Sequence, residues 1–364
     1  MKKRHQHFIP RTYLKHFKNS TESEQVNVYN KVEEKHVNSI GINDICVEKD
    51  FYTLKNLTGD DKLALEEYFD KEIESKYSII YNLLVKEKPN KITLEQKIDI
   101  LKTTLSMYFR TPKVLNQFLK KIDDFVDNLI KSEEVDEIEF KGIVIQINGK
   151  TKEEIKKEIR EHIRIDYLSI QLNFFEEFVK YKIYDGMTVI ENVSEYEFYT
   201  GDNPVNFLNR HGNSNLIFDI NNSIYIPLNP THCLFIAPPK LPKSGYEIFY
   251  QKDNQMLIHV VNTCTFENAE RWLIGKGENF KKSINKSIEL NSTYNDNHPM
   301  LLSLQIKTDL LSKVFDAMKK NGLSKDNLDL LNSLKEIKSW NEHKDHIDLV
   351  ELLETFEKED GFIL

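Results

Sequence analysis

Residues 65–84 read LEEYFDKEIESKYSIIYNLL. Leu65, Phe69, Ile73, Tyr77, Ile80 and Leu84 recur there at steps of three or four, the spacing of one buried face of an α-helix. The same period continues downstream. A second helix is predicted from about Leu94, with Ile98, Leu101, Leu105 and Tyr108 turned inward. Pro112 lacks a donor and crowds the preceding turn, so this helix should kink or break near Arg110. Thr151 opens a third, long helix carrying Ile155, Ile159, Ile163, Tyr167, Ile170, Phe174 and Phe178, with Glu154 completing a capping box. Near residue 186 the period changes. Met187–Ile190, Tyr196–Thr200, Ile224–Leu228 and Cys233–Ala237 are short apolar or alternating runs separated by turn residues, which predicts an antiparallel sheet. The fold class is therefore α+β, a helix-rich core with a small antiparallel sheet and a helical C-terminal extension.

The flanks fit that frame. In residues 1–58, His7-Phe8-Ile9-Pro10 is extended, because proline biases its predecessor away from helix. Arg11–Phe17 forms a helical turn with Tyr13, Leu14 and Phe17 on one side, and Val26–Tyr29 alternates as a strand. Phe140–Ile147, ending at Asn148-Gly149, reads as a strand and turn, and Met256–Leu273 as a helix ending at Gly275. The expected division is a core over 1–275, helical over about 60–185 and sheet over about 186–255, followed by an acidic helical extension over 276–364.

Hydrophobic residues make up 40% of the 364 and aromatics 11%, enough to build a substantial core and to exclude wholesale disorder. No apolar run approaches the roughly 18–20 residues that span a bilayer. Met1-Lys2-Lys3-Arg4-His5 lacks the apolar stretch of a secretory signal. Cys46, Cys233 and Cys264 are odd in number and far apart, so they read as free thiols in a reducing cytoplasm. The net charge of −8 is uneven: Lys2, Lys3, Arg4, Arg11, Lys15 and Lys18 stand among the first residues without an acid. That local basic segment offers nucleic acid a narrow entrance, whereas a general affinity for phosphate backbone is not expected.

Several polar residues carry candidate chemistry. Glu67 and Glu74 lie seven positions apart, two helical turns, so they project in nearly one direction beside the apolar stripe. Such a pair holds a divalent metal or performs acid–base work; alternatively, each carboxylate pairs with a lysine or arginine of a neighbouring helix. Arg110, at the break, clamps a carboxylate or phosphate, or satisfies the carbonyls of the broken helix end. Gly201-Asp202-Asn203-Pro204 is a tight turn in which Asp202 caps the backbone, or in which a strand-end carboxylate and amide point into a cleft. His5 and His7 alternate on an extended segment and share one face. They could ligate one metal, or a single histidine could act as a base or as a core hydrogen-bonding group. His343 and His346 share a helical face in the acidic tail and read as solvent-exposed. Phosphate-loop, dinucleotide-fingerprint, zinc-helix and serine-elbow motifs are all lacking, so those nucleotide-dependent and hydrolase classes lose weight.

Gln6-His7-Phe8-Ile9-Pro10-Arg11-Thr12-Tyr13-Leu14-Lys15-His16-Phe17 resembles the opening signature of the bacterial family called domain of unknown function 4238. Further blocks are similar to that family in the same order: Asp50-Phe51-Tyr52-Thr53, Glu67 with Ile73-Glu74-Ser75, and Arg110-Thr111-Pro112. Thr200-Gly201-Asp202-Asn203-Pro204-Val205 comes next, with Gly201 where the family usually has serine. Ile226-Pro227-Leu228-Asn229-Pro230 and Asn262, Ala269 and Arg271 complete the likeness, which spans about 5–275. The resemblance implies joint consideration of His7, Glu67, Glu74, Arg110, Asp202 and Asn203. If they converge, the set suits metal-assisted or acid–base hydrolysis of a phosphodiester or similar anion, with Glu74 and Asp202 holding a divalent metal such as Mg²⁺. The expectation is a nuclease-like hydrolase serving toxin or phage defence. The alternative is a non-enzymatic sensor or partner-binding protein, its polar residues a structural network and its C-terminal helices the protein interface.

Overall fold

The computed structural model describes residues 5–20, 22–53, 62–132, 137–140, 143–209, 222–238, 246–253 and 256–293. Lys2, Lys3 and Arg4 of the basic segment lie outside the described residues, as do His343, His346 and the extension beyond 293. The chain divides into two units, Met1–Phe207 with Ser223–Ser287 and Leu208–Asn222 with Ile288–Leu364. The candidate site belongs to the first.

The chain opens with β1 (His5–His7), the single turn α1 (Arg11–Leu14), β2 (Gln25–Asn30), β3 (Lys35–Gly41) and β4 (Val47–Lys49). Helices α2 (Ala64–Tyr68), α3 (Ser75–Tyr81), α4 (Leu94–Phe109) and α5 (Pro112–Ser132) come next, then β5 (Glu137–Phe140), β6 (Ile143–Gln146) and α6 (Lys152–Tyr181). The remainder is β7 (Gly186–Asn192), β8 (Thr200–Gly201), β9 (Asn206–Asn209), β10 (Asn222–Asn229), β11 (His232–Ala237) and β12 (Ile248–Asp253), then α7 (Met256–Asn268), β13 (Trp272–Gly275) and α8 (Gly277–Thr293).

The α+β class holds, with sheets larger than expected. One sheet has five strands in the order β12-β7-β11-β10-β9, and another four in the order β3-β2-β13-β8. The larger is mixed rather than antiparallel, because β12 runs parallel to β7 with Ile248 opposite Met187. β12 returns to that edge with its backbone anchored by Ile92 N–H to Tyr246 O (2.9 Å) and Ile248 N–H to Asn90 O (3.1 Å). The segment read as helix through Leu273 instead ends at Asn268 and resumes as β13, which pairs with β2 and β8 on its two sides. Of Tyr196–Thr200 only Thr200 is in a strand, and that strand belongs to the smaller sheet.

The helices follow their apolar period. Leu65, Phe69, Ile73, Tyr77, Ile80 and Leu84 are all buried. This run is not one α-helix: Phe69–Glu74 and Asn82–Glu87 are π-helical, each widening the turn. Capping boxes start α4 at Thr93 with Gln96 and α6 at Thr151 with Glu154. α4 stops at Phe109 with Arg110 as its C-cap, and Pro112 opens α5, where a missing donor costs nothing. Tyr13, fully buried, joins the layers: its hydroxyl meets Thr200 Oγ1 at 2.6 Å and donates to Pro227 O at 2.7 Å. Burying such a ring with its polar tip satisfied stabilises by about 2–3 kcal/mol. No helix among the described residues is long and apolar enough to cross a membrane.

Candidate functional site

Alternation along β1 sorts three neighbouring side chains. His5 is exposed, Gln6 is buried and His7 is half-buried. Gln6 Oε1 accepts from Tyr52 N–H at 2.6 Å, and its Nε2 donates to Glu66 Oε2 at 2.8 Å and Thr53 Oγ1 at 3.4 Å. The inward residue of the strand thus fixes the chain at 52–53 and one carboxylate of α2. His7 Nε2 lies 3.1 Å from Ile42 O. A carbonyl only accepts, so Nε2 carries the proton and Nδ1 is the bare nitrogen, which has no hydrogen-bond partner among the described residues. Burial lowers the His7 pKa from its ordinary 6.5, with the Ile42 hydrogen bond pulling the other way.

Arg110 sits beside it, only 2% exposed. Its Nη2 donates to Glu74 Oε1 at 2.6 Å and to the His7 carbonyl at 3.1 Å, and its Nε donates to Tyr52 Oη at 3.0 Å. The guanidinium also stacks against Phe69, 4.4 Å from the ring centroid. Burial works against this charge; Tyr52 and Glu74 outweigh it and hold the Arg110 pKa above its ordinary value. Burial likewise pushes the Tyr52 phenol up to about 12. Nη1 is buried and has no acceptor among the described residues.

These residues line an open cleft of about 860 Å³. Its walls carry His5, Gln6, His7, Arg11, Asn43, Tyr52, Leu63 and Arg110 together with Asp44, Glu66, Glu67, Asp70 and Glu74. His7, Glu67, Glu74 and Arg110 are thus brought together as expected. Glu67 stands at the rim, paired with Lys71 at 3.2 Å, and Glu74 is the member tied to the buried cation. Three contributors were missed from sequence. Gln6 and Tyr52 lie inside two of the blocks that carried the resemblance, and Glu66 adjoins a residue that was selected.

Asp202 and Asn203 do not line this cleft. Asp202 Oδ1 accepts from Glu270 N–H (3.0 Å) and from Asn203 Nδ2 (3.1 Å), while Oδ2 accepts from Arg271 N–H (2.7 Å) and Trp272 N–H (3.0 Å). A carboxylate offers about four lone-pair positions, and all are taken. Burial raises the Asp202 pKa and these four donors oppose it. Asn203 O accepts from Asn268 Nδ2 at 2.9 Å. Around the same corner Lys31 Nζ donates to the carbonyls of Phe266 (2.7 Å) and Ala269 (2.9 Å), and Lys113 Nζ to that of Asn268 (2.7 Å). Both lysines complement the negative end of α7, and burial lowers their pKa values. The turn therefore closes the junction between α7 and β13. Among the described residues no three His, Cys, Asp or Glu side chains group as ligands for a cation. The Mg²⁺ site expected from Glu74 and Asp202 lacks its second ligand, because the Asp202 oxygens are saturated and face another part of the fold.

A sequence model of the family described as protein of unknown function (DUF4238) matches residues 5–279. The chain belongs to that family. The match takes in every DUF4238-like block of the sequence, the whole set of cleft residues and the Asp202 corner. No curated protein and no solved structure matches the chain.

Proposed function

We propose that the chain is a hydrolase working by acid–base chemistry on a substrate that carries an anionic group, with His7 as the base and Arg110 receiving that group. The observation that carries this reading is Arg110: a guanidinium 2% exposed, part of the cleft lining, with Nη1 lacking an acceptor among the described residues. Buried polar groups are normally paired, and an unpaired one at a cleft marks where a ligand completes the set. Tyr52, Glu74 and the His7 carbonyl hold the other donors in place, so the cation is preorganised. His7 is its neighbour, neutral at pH 7, with Nδ1 free to take a proton from water as the water oxygen attacks the scissile centre. The same proton then passes to the leaving group.

Nuclease-like action is one case of this chemistry. Five carboxylates against two guanidiniums in the cleft oppose a polyanion unless a divalent cation screens them. The test is turnover of p-nitrophenyl hydrogen succinate, of the dipeptide Gly-Ala, of a p-nitrophenyl phosphodiester, and of labelled DNA and RNA. Each is assayed with Mg²⁺, Mn²⁺ or chelator, for wild type and His7→Gln. The expected result is hydrolysis that falls about 100-fold or more in a folded His7→Gln protein. Undiminished turnover removes His7 from the role, and no turnover of any substrate removes the enzymatic reading. The saturated network at Asp202 and Asn203 is structural under this reading and under the sensor or partner-binding alternative, and favours neither.

A further inference from the structure

The charges around Arg110 say more about what the cleft accepts. Glu66 is not a loose surface acid: buried Gln6, only 2% exposed, donates to its Oε2 at 2.8 Å and leaves Oε1 without a partner among the described residues. Glu74 is held by Arg110 through Oε1, and Asp70 stands exposed at the same cleft. A fixed, buried cation with an unused nitrogen therefore lines the same cleft as fixed carboxylates with unused oxygens. A simple anion meets only the first and a polyanion is repelled by the second. A molecule with an anionic group and an ammonium group satisfies both.

We infer that the cleft takes a small zwitterion, its carboxylate or phosphate on Arg110 and its ammonium between Glu66 and Glu74. This rests on the proposed reading of Arg110 as the anion site and names the substrate class for it. The volume, about 860 Å³, is that of a small-molecule site rather than a tract for a polymer. Gln6 is a positioning residue in this scheme, because it acts through Glu66.

The test is calorimetric binding to the full chain of four probes: the dipeptide Gly-Ala, its N-acetyl form, its C-terminal amide and a short oligothymidylate. The dipeptide is expected to bind about tenfold or more tighter than either blocked form. Glu66→Gln keeps an acceptor for Gln6 and should abolish the preference over the N-acetyl form while retaining the preference over the amide. Equal or tighter binding of the N-acetyl form, tighter binding of the oligonucleotide, or no dipeptide binding at about 10 mM overturns the inference. The two readings fail separately. Dipeptide binding that needs both charges, without turnover of any substrate, sinks the hydrolase and keeps the zwitterion site. Turnover confined to singly charged or polyanionic substrates does the reverse.

Discussion

Replacing Asp202 by alanine removes the acceptor of three consecutive main-chain N–H groups, those of Glu270, Arg271 and Trp272. Hydrogen bonds to a charged group contribute about 1.5–3 kcal/mol each, and a donor left buried without an acceptor costs about as much. Glu270 and Arg271 are exposed residues, so water recovers part of the loss at two of the three. The resulting destabilisation is about 3–5 kcal/mol. For a chain of this size each kcal/mol moves the melting temperature by about 1–2 °C, so Tm should fall by roughly 4–8 °C. Asp202→Asn should fall between alanine and wild type, since its amide nitrogen replaces one acceptor with a donor facing donors. The assay is thermal melting with urea unfolding as a check, beside turnover normalised to folded protein. A Tm within about 2 °C of wild type would refute the reasoning. Lost turnover with an unchanged melt would return Asp202 to the catalytic set.

Gly201→Ser should lower the urea midpoint by an amount equivalent to about 1–3 kcal/mol. A Cβ there would stand 2.8 Å from Trp272 O and 3.3 Å from Ala269 Cβ, and β8 is held on β13 by its register. An unchanged midpoint would show that the corner yields. The His7 pKa is lowered from 6.5 by burial and by Arg11 and Arg110, opposed by the Ile42 hydrogen bond and Glu74, so its neutral form persists as pH falls past 6.5. The acid limb of kcat/KM should therefore lie below pH 6.5, and a limb above that value contradicts the assignment of His7 as base. The same sign applies to stability. Below pH 6.5 the unfolded chain binds protons at His7 and His16 that the folded chain refuses, so the urea midpoint should decline on acidification. For His16 that decline runs down to its folded value of about 4.

What was legible in the sequence was chiefly local. The apolar stripe from Leu65 to Leu84, the capping box at Thr151 and the stop at Arg110-Thr111-Pro112 each depend on residues within a turn or two, and each is where expected. The π-helical run Phe69–Glu74 was not legible, because a stripe at three- and four-residue steps tolerates one widened turn. Its effect on the site is direct: Glu66 reaches Gln6 and Glu74 reaches Arg110, while Glu67 is left at the rim with Lys71. Strand β13 was hidden for a different reason. Trp272–Gly275 follows a helix with only three residues between, none of them glycine or proline, and only pairing with distant β2 and β8 makes it a strand. Asp202 was recognised as special, but a rigid strand-end carboxylate serves a cleft and a backbone corner equally well until the donors opposite it are known. Their positions, at 270–272, are set by that same unforeseen strand.

The placement of β13 also sets an order of events for a chain being made. β2 and β3 are neighbours in sequence and need no distant residue to pair, yet the inner edge of β2 has no partner until Trp272–Gly275 has been synthesised. Contacts closed over so long a loop form late and slowly, and an unpaired strand edge in the meantime is a template for association with other chains. A nascent or truncated chain ending before Glu270 would hold the His7 strand and the Arg110 helix but neither the second partner of β2 nor the three backbone donors for Asp202. For this fold, the interval between translating residue 30 and translating residue 275 is one in which that edge of β2 is open to other chains.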